Sequence, residues 1–94
     1  MMRVTEHRIE LEGPMTFATA RALFEEGAAA LGARACEIDL SRVSAVDSSA
    51  LAVLFAWART AAASGGTIAI THAPASLQSL ADLYGVSELL PIAA

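Results

Sequence analysis

The sequence predicts an α/β sandwich: a sheet of four or five strands covered by three helices. Three observations predict it. Short runs suited to strands fall at residues 8–12, 35–40 and 67–71, spaced by the roughly 30 residues that one strand–helix–strand unit occupies. The segments between them are longer and repeat their apolar residues with a helical period. Each segment ends on Gly, Pro or Ser, with no linker or low-complexity tract, as closely packed elements do. The order of elements is β(β)αβαβα, and helices that return the chain to successive parallel strands give a layered α/β architecture.

Val4 and the run Arg8-Ile9-Glu10-Leu11-Glu12 alternate apolar and polar residues as a half-buried strand does. Gly13-Pro14 is expected to break that strand. Thr16 is placed to N-cap a helix reaching about Leu31, with Phe17, Ala20, Phe24, Ala28 and Leu31 on one face. Gly32 follows, where a left-handed C-cap would stop the helix. Residues 35–40 are too short for a helix and lie between breakers, so they read as a buried central strand. A second helix starts at Ser48 or Ser49 and runs to about Ala63, where Ser64-Gly65-Gly66 ends it. Thr67-Ile68-Ala69-Ile70-Thr71 is the next strand. Pro74 suits the first turn of a third helix, whose Leu77, Leu80, Ala81 and Tyr84 share a face before Gly85. Residues 87–92 form a turn and a terminal strand, with Pro91 limiting its pairing.

Composition narrows the function. At 94 residues the chain is expected to be one domain, residues 1–94. The hydrophobic fraction is 55%, yet 22 residues are Ala and aromatics are 5%, so the core must come from Leu, Val, Ile and closely packed Ala-rich helices. The net charge is −4, from six Arg, no Lys and ten acidic residues. No basic stripe for nucleic acid is visible, and the scattered Arg residues do not make a membrane-surface helix. Apolar runs such as residues 51–58 fall far short of the roughly 20 residues that span a bilayer. No secretory leader is evident, so a cytoplasmic location is expected. The single Cys36 reads as a small apolar residue of a strand rather than a reactive thiol. His7 and His72 lie at turns or strand ends, without partners at metal-ligand spacing. With no nucleophile–base–orienter set to assemble, the expectation is a non-enzyme with no cofactor, no metal and no catalytic residue.

The most informative stretch is Ser41-Arg42-Val43-Ser44-Ala45-Val46-Asp47-Ser48-Ser49-Ala50-Leu51-Ala52. Asp47, Ser48 and Ser49 fall where the second helix begins, and their oxygens can accept hydrogen bonds from its otherwise unpaired N–H groups. One such residue is enough for a cap. Three in a row leave at least one hydroxyl facing outward, so a role in binding stands beside the plain capping role. A phosphate on Ser48 or Ser49 would meet the positive end of the helix and carry nearly two negative charges into any apolar contact surface.

Ile38-Asp39-Leu40-Ser41 followed by Val46-Asp47-Ser48-Ser49-Ala50-Leu51, in this order of elements, resembles STAS domains. That fold is shared by anti-sigma factor antagonists and by the small STAS subunit of bacterial phospholipid-transport ABC systems (MlaB-like). The resemblance covers nearly the whole chain and implies a four- to five-stranded mixed sheet with about three helices largely on one face. In the antagonists the run is Asp-Ser-Ser-Gly, and the second Ser accepts a phosphate from a partner kinase, which implies Ser49 as a phosphorylation site. In the transport subunit a Thr or Ser directly after the Asp helps contact the ABC ATPase, which implies Ser48. Ala50 stands where the antagonists have Gly, a departure from that group. The favoured expectation is an MlaB-like subunit that binds and regulates or stabilises the ATPase of a phospholipid-trafficking ABC transporter, held at the inner membrane through that complex. The alternative is an anti-sigma factor antagonist that binds a serine kinase and is controlled at Ser49.

The second helix adds a clue of its own. At about 100° per residue, Leu51, Leu54, Phe55, Ala58 and Ala62 form one stripe, expected to face the sheet. Ala50, Val53, Trp57 and Ala61 form a second apolar strip beside the serines. Either Trp57 covers the shoulder of the core, or it is an exposed aromatic anchor of a protein interface. A Trp in this helix also looks like the transport-linked STAS proteins. The expected partner-binding set is therefore Asp47, Ser48, Ser49, Ala50, Val53 and Trp57.

Overall fold

The computed structural model of the protein describes residues 2–93. Its elements are β1 (Met2–Val4), β2 (Arg8–Met15), α1 (Phe17–Ala30), β3 (Ala35–Val46), α2 (Ser48–Ala63), β4 (Thr67–Thr71), α3 (Ala75–Leu83) and a 3-10 turn at Ser87–Leu89. The four strands form one mixed sheet in the order β1-β2-β3-β4. β1 is antiparallel to β2, while β2–β3 and β3–β4 are parallel. Both crossovers step the same way across the sheet, so their common right hand places α1 and α2 on one face. There α1 packs on β2 and on α2, and α2 packs on β4 and α3. After the 3-10 turn, Ile92 makes a single parallel bridge to Ile70, which is all that remains of the expected terminal strand.

The helix-facing side of the sheet is built by alternation. Ile9, Leu11 and Met15 of β2, Ile38 and Leu40 of β3, and Ile68 and Ile70 of β4 are buried beneath Leu51, Leu54, Trp57 and Leu77. Gly13-Pro14 does not end the first long strand. The period-two pattern runs on through Gly13 to the buried Met15. Gly13 takes a left-handed φ of 96° at a register shift. β1 pairs only with residues 9–11, so Pro14 lies where one edge of β2 is open and a strand proline is tolerated.

The central strand is twice the expected length, because β3 continues to Val46 and residues 41–46 are strand rather than loop. Its register against β2 shows why the sequence hid this. Glu10 pairs with Asp39 but Glu12 with Arg42, and Gly13 pairs with Val43 but Pro14 with Ala45. At each shift β3 carries one extra residue, a bulge that breaks the alternation. At the end of α1, Gly32 is not left-handed; the cap is the extended Leu31.

The packing of α1 on α2 depends on Gly27. A Cβ there would lie 2.5 Å from Trp57 Nε1 and closer still to ring carbons Cε2 and Cζ2. The Nε1–Cζ2 edge of the indole therefore lies against the α1 backbone, and its N–H donates to the Phe24 carbonyl (3.2 Å).

Candidate functional site

The neighbouring parallel strands β2 and β3 finish level, with Met15 paired to Val46, so α1 and α2 begin side by side. Asp47 sits at that junction in extended conformation. Its Oδ1 accepts the Ser49 N–H at 2.8 Å, and its Oδ2 accepts the Phe17 N–H at 3.0 Å. One carboxylate thus caps both helices. The Phe17 amide holds the Asp47 carboxyl below the usual carboxylate range; a smaller desolvation effect opposes it, and the Ser49 amide and hydroxyl add to the lowering. The start of α1 is fixed further, because the Thr16 N–H donates to Thr19 Oγ1 (3.0 Å) and that hydroxyl donates to the Pro14 carbonyl (2.9 Å).

Of the expected partner-binding residues, Asp47, Ser48 and Ser49 are together at this junction. Ser48 is exposed and Ser49 is half-buried. The other three need correction. Ala50 and Trp57 are 0% exposed and Val53 is 5% exposed. α1 lies directly over the second apolar strip of α2, and Gly27 leaves room for the large indole, so Trp57 belongs to the core. At the outer end of the stripe expected to meet the sheet, Ala62 is exposed.

Phe17 moved the other way. Its place in the helical pattern of α1 suggested burial, but the buried face of that helix runs through Leu23 and Gly27, and Phe17 is 84% exposed. As the first residue of α1 it lies beyond the end of the sheet. The signal in the sequence was its position next to the Thr16 cap, which outweighs its phase. Other exposed large apolar residues are Val4, Leu83, Tyr84, Leu89 and Ile92.

The face of the sheet without helices carries a second polar cluster. Arg8 Nη2 lies 2.8 Å from Asp39 Oδ2 and 3.3 Å from Glu37 Oε2, and the Thr71 hydroxyl donates to Glu37 (2.8 Å). His72, with a left-handed φ of 55°, brings Nδ1 within 3.3 Å of Asp39 Oδ1, so it does have a carboxylate neighbour. Burial pushes the Asp39 carboxyl up, but hydrogen bonds from Ser41 and the charges of Arg8 and His72 outweigh it and hold it below the usual range. These contacts tie β2, β3 and β4 together across the open face. Among the described residues there is no group of three or more His, Cys, Asp or Glu arranged to hold a metal ion, and no helix long and apolar enough to cross a membrane.

Comparison with known proteins places this geometry. Among solved structures, a candidate anti-sigma factor antagonist from Thermotoga maritima superposes with a TM-score of 0.77 at 16% identity, covering 98% of this chain and 83% of that one. The anti-sigma factor antagonist SpoIIAA in its unphosphorylated form gives 0.66 at 15% identity, over 88% and 81% of the two chains. A sulfate transporter family protein from Wolinella succinogenes gives 0.71 at 16% identity, over 92% and 74%. At these identities the likeness is one of fold. No curated protein matches the sequence. The family model described as "Mlab, STAS domain" matches residues 2–91, and the chain belongs to that STAS family.

Proposed function

We propose that this STAS domain is a non-catalytic, MlaB-like subunit that docks on the ATPase of a phospholipid-trafficking ABC transporter and stabilises or regulates it. The docking surface is the start of α2, and through it the domain is held at the inner membrane. One observation carries the reading: Asp47 takes up the capping of α2, which leaves the exposed Ser48 hydroxyl free of that duty. Ser48→Arg tests it. The substitution places a bulky charge that would have to be desolvated in the contact, on a side chain that the core does not use. Co-purification of the ATPase should be lost while the melting temperature stays unchanged; undiminished capture by the folded variant would remove this surface from the account.

The alternative, an anti-sigma factor antagonist switched at Ser49, draws on the fold likeness to two antagonist structures. Against it, Ser49 is the less exposed of the two serines and its amide already engages Asp47.

A further inference from the structure

We propose that Phe17 is a second anchor of the same docking surface, an aromatic side chain that enters an apolar, basic-rimmed pocket on the ATPase beside the Ser48 contact. The inference rests on the docking reading above and names a partner contact that the sequence did not suggest. Phe17 is 84% exposed, the most exposed of the large apolar residues among those described. Its backbone is nevertheless fixed where the helix begins. Its own amide is held by Asp47 Oδ2, and the preceding Thr16 amide is held by Thr19, which is itself bonded to Pro14.

The other oxygen of Asp47 holds Ser49, so Phe17 and Ser48 project from one carboxylate-bridged unit. A ring presented from a fixed backbone loses little freedom on binding, and aromatic residues dominate interface energetics. The bridging carboxylate also selects the partner. A two-fold contact between copies of this chain through this surface would bring two Asp47 carboxylates together. An apolar pocket rimmed by Arg or Lys would instead complement the carboxylate and suits a chain of net charge −4.

The test measures ATPase affinity and melting temperature for the full chain and for Phe17→Ala, Phe17→Leu and Ser48→Arg. Phe17→Ala should weaken binding about tenfold or more without lowering the melting temperature. Phe17→Leu should recover most of the affinity, and Ser48→Arg should abolish binding. Unchanged affinity of Phe17→Ala, with binding lost in Ser48→Arg, would overturn the anchor and leave the docking surface standing. Binding that survives Ser48→Arg would remove the docking surface and the anchor with it. A fall in melting temperature for Phe17→Ala comparable to that of a core truncation would make Phe17 structural. A wild-type dimer that Phe17→Ala converts to monomer would assign the pocket to a second copy, and either result overturns the proposal.

Discussion

Gly27→Ala should destabilise the protein, against the usual trend for helices. In an open helix interior the change from Gly to Ala is favourable by about 1 kcal/mol. Here the added methyl would lie 2.5 Å from Trp57 Nε1 and nearer to two ring carbons, well inside the normal contact distance of about 3.5–4.0 Å. Trp57 is 0% exposed, so its ring has no solvent side to move into. Turning it would also break the Nε1–H bond to the Phe24 carbonyl. Overpacking of this kind costs about 1–3 kcal/mol, and an orphaned buried donor about 1–3 kcal/mol more. Set against the helix gain, the net loss is about 1–5 kcal/mol, or a drop of about 4–40 °C in melting temperature if each kcal/mol shifts it by about 4–8 °C. Urea denaturation and thermal melts of Gly27→Ala, Trp57→Phe and the double variant measure it. Because the two residues touch, the double variant should lose less than the sum of the single losses. A Gly27→Ala protein as stable as wild type, or more so, would refute the close packing of α1 on α2.

Two further outcomes follow from the same structure. Trp57→Ala should cost about 3–5 kcal/mol, at least as much as the 2–5 kcal/mol of a buried Leu54→Ala; a loss below about 1 kcal/mol in chemical denaturation would return Trp57 to the surface. Asp39 has its carboxyl pKa lowered on folding, so its ionised form stabilises the fold fully above the unfolded value of about 3.9, and that stabilisation disappears as pH falls through the lower folded value. The difference in melting temperature between wild type and Asp39→Asn should therefore narrow as pH falls below about pH 4, and a gap that stays undiminished on that acidification would contradict the Arg8–Asp39 network.

Much of the architecture was legible because it rests on local signals. Residues 67–71 alternate cleanly and Ser64-Gly65-Gly66 closes the helix before them, so β4 and α2 were readable almost to the residue. The Thr16 and Asp47 caps fixed the starts of α1 and α2. What stayed hidden depends on partners distant in sequence. Residues 41–46 pair with β2 through two bulges, and a bulge removes the alternation by which a strand is recognised. Trp57 looked like surplus apolar surface because Gly27, 30 positions earlier, does not announce in sequence that it makes room for an indole. The site was half readable for the same reason. Asp47 could be named as a cap of α2, but its second oxygen serves α1, a contact that exists only because β2 and β3 end side by side. Phe17, the residue that this contact displays, was accordingly assigned to the wrong face.

The docking surface is tested most directly by capturing the tagged protein from its native cells, with Ser48→Arg in parallel, and identifying its partners together with its intact mass. The wild-type chain, carrying no added phosphate, should bring down an ABC transporter ATPase, and Ser48→Arg should bring down none. Capture of a serine kinase by a chain carrying one phosphate on Ser49, or undiminished capture of the ATPase by Ser48→Arg, would contradict that expectation.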